Sequence, residues 1–194
     1  MKTDPRYYNN LFNLTTPRQK TKKTLGWHDH LESYIKMNIF YLDPNSKTCA
    51  EYHCDQHCVK MILETAQLLS TAHHVNGDST LPELYKATHI NHPTSVWVRS
   101  STDHYLWAYS LFIELLAEFE HRRNKVHASS RLKKSLAQVP SIPNNGFVAP
   151  PQCMPDEYKI VGDTVGAYKK YYIGDKSRFA TWNWGRAIPK WFSA

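Results

Sequence analysis

Two long stretches, 47–74 and 102–125, repeat apolar residues every three or four positions, and no comparable stretch alternates with a period of two. A chain built on them buries helix against helix, so the expected fold is mainly α: a compact single-domain helical bundle. The core stripe of the first helix is Val59, Ile62, Ala66 and Leu69, and that of the second is Leu106, Tyr109, Ile113 and Leu116. Asn45 or Ser46 caps the first helix, and Asn76-Gly77 closes it. A shorter helix is predicted over 129–138, and a last one is capped by Asp163 and runs through Ile173, anchored by Tyr168 and Tyr172.

The remaining chain reads as connections. Met37-Asn38-Ile39-Phe40-Tyr41-Leu42-Asp43-Pro44 is a short strand or extended entry segment ended by a turn, and Met37 looks like a natural N-terminus. Residues 78–100 read as a loop with a turn at Asn91-His92-Pro93 and an extended piece at Val96-Trp97-Val98. Five prolines within 139–155 make that stretch a long irregular connection, because proline denies the backbone a donor. Residues 1–36 form a loosely ordered basic arm, and residues 37–194 form the helical domain.

Composition narrows the classes of function. A chain of 194 residues supplies one core. Its longest apolar run falls far short of the ~20 residues that span a membrane. The N-terminus lacks the apolar block of a secretory signal, so a cytoplasmic location is expected. Cys49, Cys54 and Cys58 crowd one helix with Cys153 far away, which suits reduced thiols better than a disulfide framework. A net charge of +7 favours a polyanionic partner, although many basic proteins bind nothing anionic.

On the first helix His53, His57, Lys60, Glu64, Gln67 and Thr71 share one face. That face is either a solvated surface carrying an ordinary ion pair or a site that unites acid, imidazole and amine. Asp55 projects about 200° from His57, toward the apolar side, as a hydrogen-bonded structural group or a pKa-tuned catalytic one. Asp55, His57, Lys60 and Glu64 are therefore the catalytic candidates. His53/His57 and Cys54/Cys58 point about 100° apart and converge poorly on one ion, so no metal and no other cofactor is expected.

Two further groups offer contacts to nucleic acid. One is His92, Trp97, Arg99, His104 and Tyr105; the other is Lys169, Lys170, Tyr171, Lys176 and Arg178. Interleaved aromatics and cations stack on bases and grip phosphates, while core burial and solvated charge account for the same residues equally well.

From Met37 onward the strings MNIFYLD, CDxHxVKMILE, NHP, PPQxMPDE and AYxxYY resemble an uncharacterised small protein family of tailed phages. Ala50-Glu51-Tyr52, His92-Pro93-Thr94 and Tyr168-Lys169-Lys170-Tyr171-Tyr172 are similar to the layout of the phage pyrimidine-dimer DNA glycosylases of endonuclease V type. That resemblance implies DNA as partner, with an altered or flipped base in a duplex, and a base glycosylase/lyase-like or base-modifying enzyme. In that family an N-terminal α-amine attacks the sugar carbon and a glutamate of the first helix assists. Here the arm precedes Met37, and Cys54 or Asp55 stands roughly where the glutamate is expected. Lys60 then becomes the candidate amine, Asp55 or Glu64 the charge stabiliser and His57 the proton shuttle. Two other functions fit the same residues: a non-catalytic nucleic-acid-binding accessory protein, and an enzyme of free, modified nucleotides.

Overall fold

The computed structural model describes residues 37–77, 81 and 83–193, so the basic arm at 1–36 lies outside the described residues. The chain folds as α1 (Ser46–Tyr52), α2 (Asp55–Val75), α3 (Pro93–Val98), α4 (Thr102–Arg123), α5 (Lys133–Leu136) and α6 (Thr164–Tyr171). Short 3₁₀ turns cover Ala128–Leu132 and Asp156–Tyr158, and α6 runs on into a π-helical turn at Tyr172–Lys176. No strand occurs among the described residues, and none of their helices is long and apolar enough to cross a membrane.

The core forms where α4 packs along both α1 and α2. Met61, Ile62, Ala66, Leu68 and Leu69 of α2 meet Tyr105, Ala108, Leu111, Phe112 and Leu115 of α4, all nearly inaccessible. This corrects the expected stripe of the second helix, of which Leu116 is buried and the other three are not. Leu106 is 44% exposed and Tyr109 and Ile113 are only half-buried, so the buried face is rotated by about one residue. Large apolar residues surround that helix, and periodicity alone does not choose among them.

α2 is enclosed on nearly every side, including the face that carries its polar residues. The cover is the extended segment 37–42, in which every residue is buried. An extended segment in the interior must find partners for its backbone outside any sheet. Asn38 N–H donates to Glu64 Oε2 at 3.3 Å, and Phe40 O accepts from Leu42 N–H at 3.0 Å and from Cys49 Sγ at 3.2 Å.

The single helix expected over 47–74 is two helices. In an unbroken helix Asp55 N–H would bond Glu51 O. Instead Asp55 N–H donates to Thr181 O at 2.8 Å, and Glu51 O accepts from Arg122 Nη2 at 3.0 Å. Trp182 Nε1 also donates to Tyr52 O at 3.3 Å. The carbonyls and amides freed by the break are thus taken up by the C-terminal segment and α4. The start agrees with expectation: Asn45 Oδ1 accepts from both the N–H and the hydroxyl of Thr48, at 3.0 and 3.3 Å. Asn45→Ala is expected to cost about 1 kcal/mol in urea unfolding. A loss below a few tenths would show that the cap adds nothing to α1.

Val96-Trp97-Val98 is helical, not extended. Pro93 supplies a helix-ready φ at the first position, and the His92 ring accepts Thr94 N–H at 3.2 Å. The proline-rich connection is irregular as expected, and side chains hold it. Trp97 Nε1 donates to Val148 O at 2.9 Å, Val148 N–H donates to His104 Nε2 at 2.9 Å, and Cys153 N–H donates to the Tyr168 hydroxyl at 3.3 Å. Asp163 caps α6 through Gly166 N–H at 2.8 Å, and Tyr168 and Tyr172 are fully buried anchors.

Candidate active site

The polar residues of the first long helix separate into two environments. His53 and His57 are inside the protein, 0% and 5% exposed. His57 stacks on Phe40 at 4.4 Å between ring centres, meets the edge of Phe179 at 5.4 Å, and has Tyr172 hydroxyl 2.5 Å from Nδ1. Burial drives its pKa down to about 2, helped by the charges around it, so it is a neutral imidazole. His53 Nδ1–H donates to Cys49 O at 2.7 Å, and burial lowers its pKa to about 4.

Asp55 is 2% exposed, and both of its oxygens are engaged. Oδ1 accepts from Arg122 Nη1 at 3.0 Å; Oδ2 accepts from Asn183 N–H at 2.7 Å and Thr181 Oγ1 at 3.2 Å. Arg122 also donates from Nε to Glu118 Oε1 at 2.6 Å, and Arg186 grips the two Glu118 oxygens at 2.8 Å each. Burial alone would raise the Glu118 carboxyl, but the bonds from Arg186 and Arg122 outweigh it and hold the group below its usual value. This ion network borders a hollow of about 190 Å³ between α1 and α4, with Lys47, Glu51, Glu114 and His121 in its wall. That wall contains neither Lys60 nor Glu64.

Lys60 and Glu64 stand at the boundary between core and solvent. Lys60 Nζ lies 3.0 Å from Glu64 Oε1, with side chains 60% and 9% exposed. The other carboxylate oxygen receives the N–H of Asn38, whose carboxamide is locked in turn: Oδ1 accepts from Tyr168 hydroxyl at 2.7 Å, and Nδ2 donates to Cys153 O at 2.8 Å. Burial raises the Glu64 carboxyl above its usual value, against the opposing pull of Lys60, Asn38 N–H and His89. A poised carboxyl beside an accessible amine is the combination that proton transfer or imine chemistry uses.

The residues expected to touch nucleic acid are also divided. His92, Trp97, His104, Tyr105 and Tyr171 are buried; Trp97 stacks on His104 at 4.6 Å, and Tyr105 hydroxyl donates to Leu136 O at 2.9 Å. Lys170 and Arg178 are exposed. Arg99 is half-buried, its Nη1 3.2 Å from Ser95 Oγ. Lys169 lies 5.5 Å from the ring centres of both Tyr52 and Trp191. Lys176 lies 4.4 Å from the Tyr171 ring centre and pairs with Asp175 at 2.7 Å. All four cysteines are free thiols, and among the described residues no three His, Cys, Asp or Glu side chains are grouped as a metal site.

Asn38, Arg122, Glu118 and Arg186 escaped the sequence reading, and Tyr168 was read as a helix anchor alone. Only Glu118 and Arg122, four residues apart on a helix, left a local signal. Neither the curated proteins nor the solved structures compared with the chain gave a match. A family model does match, and it agrees with the resemblance drawn from Ala50-Glu51-Tyr52 and His92-Pro93-Thr94. Residues 37–132, a segment that holds α1 to α4 and the Lys60–Glu64 pair, match the family model of pyrimidine dimer DNA glycosylase.

Proposed function

We propose that the chain is a DNA glycosylase with lyase-type chemistry, acting at the Lys60–Glu64 pair on a nucleotide extruded from a duplex. The observation that carries this reading is Glu64, a carboxylate held at the edge of the core that meets two nitrogens, Lys60 Nζ at 3.0 Å and Asn38 N at 3.3 Å. Lys60, without its proton, attacks the sugar C1′; the base departs with the C–N bonding pair and takes the proton that the attacking nitrogen loses. The C1′–O4′ bond then breaks, O4′ leaves with its electron pair and takes a proton from water, and a protonated imine joins C1′ to Nζ. Glu64 stabilises the positive charge that develops on the sugar ring. Asp55, held by Arg122, and His57, stacked on Phe40, act as positioning residues that fix the first turn of the helix carrying the pair. The exposed Lys170 and Arg178 and the half-buried Arg99 supply phosphate contacts.

A second form of this reading rests on Asn38 itself. In a protein that began at Asn38, the nitrogen now 3.3 Å from Glu64 would be an α-amine, the type of nucleophile the family resemblance implies. Borohydride reduction on a duplex with an abasic site distinguishes the two. A covalent adduct mapped to Lys60 supports the first form, and one mapped to an amine at residue 37 or 38 supports the second. No adduct with either the full chain or a chain started at Met37 rules out imine chemistry. Glu64→Gln is expected to lower turnover by about 10²–10⁴-fold with duplex binding retained.

A further inference from the structure

The loop that leads into α3 holds a backbone conformation that its residue rarely adopts. His89 has a φ of +48°, in the left-handed region, which is unfavourable for any side chain with a Cβ. Its surroundings impose it. Thr71, fully buried on α2, donates its hydroxyl to Gln67 O at 2.7 Å and accepts Thr88 N–H at 3.2 Å. Thr88 Oγ1 lies 2.7 Å from His89 Nδ1, and His89 O accepts His92 N–H at 2.9 Å.

Thr71 stands seven residues beyond Glu64, two turns along the same face of α2, so a loop pinned at Thr71 is held in register with the Lys60–Glu64 pair. The imidazole is exposed and near enough to the Glu64 carboxyl that a proton on the ring lowers it. Glycine or asparagine would hold this backbone with less strain, and the contact to Thr88 engages only Nδ1, so the fold makes no use of the other ring nitrogen. Glu64 is already paired with Lys60, which leaves the ring's positive edge available to an anion.

We propose that His89 is a substrate-contacting residue of this site, gripping the DNA phosphate beside the nucleotide held at Lys60–Glu64. The inference rests on the glycosylase reading. Every nucleotide presents such a phosphate, and contacts of this kind set a protein's register on a duplex.

The test is fluorescence anisotropy on a duplex bearing a tetrahydrofuran abasic analogue, with the full chain, His89→Gly and His89→Asn, alongside thermal melts. Both replacements tolerate the left-handed backbone, so both variants are expected to fold, with His89→Gly melting at or above the parent temperature. Binding is expected to weaken at least threefold in each, and the salt dependence to flatten by about 0.9 in the log–log slope, one phosphate contact. Variants that bind within threefold of the parent, or that weaken with an unchanged salt slope, overturn the assignment of His89 alone. A parent chain that binds no duplex overturns this inference and the glycosylase reading together.

Discussion

Arg122→Met is expected to lose about 3–5 kcal/mol of stability, because it leaves the buried Asp55 carboxylate without its cation and strips Glu118 of one of its two. The Arg122 side chain is 0% exposed, and those of Asp55 and Glu118 are 3% and 4% exposed. Arg122 donates to Asp55, Glu118 and the carbonyl of Glu51 from three different nitrogens. Methionine fills similar volume and replaces none of those bonds, so the loss reflects unpaired charge and not a cavity. The effect spreads beyond α4, since Asp55 also receives Thr181 and Asn183, and Glu118 holds Arg186. Urea unfolding followed at Trp182 and by circular dichroism measures it. A loss under 1 kcal/mol would mean that the carboxylates are reached by water and that the network does not hold the C-terminal segment.

Stability is expected to fall by about 3–4 kcal/mol between pH 7 and pH 5, on the strength of His53 and His57. Burial lowers the two native pKa values to about 4 and about 2, while in the unfolded chain each histidine titrates near 6.5. The native form is the neutral one, so their contribution is complete above pH 6.5. Below that the unfolded chain takes up two protons that the folded chain refuses, and each histidine costs about 1.4 kcal/mol per pH unit. Lowered values at His104 and His127 add in the same direction; the raised Glu64 carboxyl works against them as it takes up its own proton. The check is the slope of the unfolding free energy against pH, which near pH 5.5 is expected to report an uptake of about two protons. An uptake under half a proton would place both imidazoles in contact with water.

Much of the local structure was legible in the residues. Asn45 announced the start of α1, Asn76-Gly77 the end of α2 and Asp163 the start of α6, because caps act over three or four positions. The pairing of Lys60 with Glu64 followed from their four-residue spacing. The helix over Pro93–Val98 was missed because Val-Trp-Val has extended propensity, and capping by His92 outweighed it. The rotated face of α4 was missed because aromatic and aliphatic residues occupy several of its faces, leaving periodicity without a single answer.

The division between what the chain announces and what it hides follows the range of the forces involved. By itself the sequence determined helix content, most helix ends, the irregular proline-rich connection and the placing of an amine next to a carboxylate, all consequences of neighbours within one or two turns. Only the tertiary structure decided that His57 goes inside while Lys60 stays out, and that Asn38 abuts Glu64, 26 positions further along the chain. It also decided that residues 181–183 break the first helix, since Thr181 supplies the bond that Asp55 would otherwise make locally. A buried backbone group must be satisfied by whichever partner packing delivers, and periodicity carries no information about partners distant along the chain.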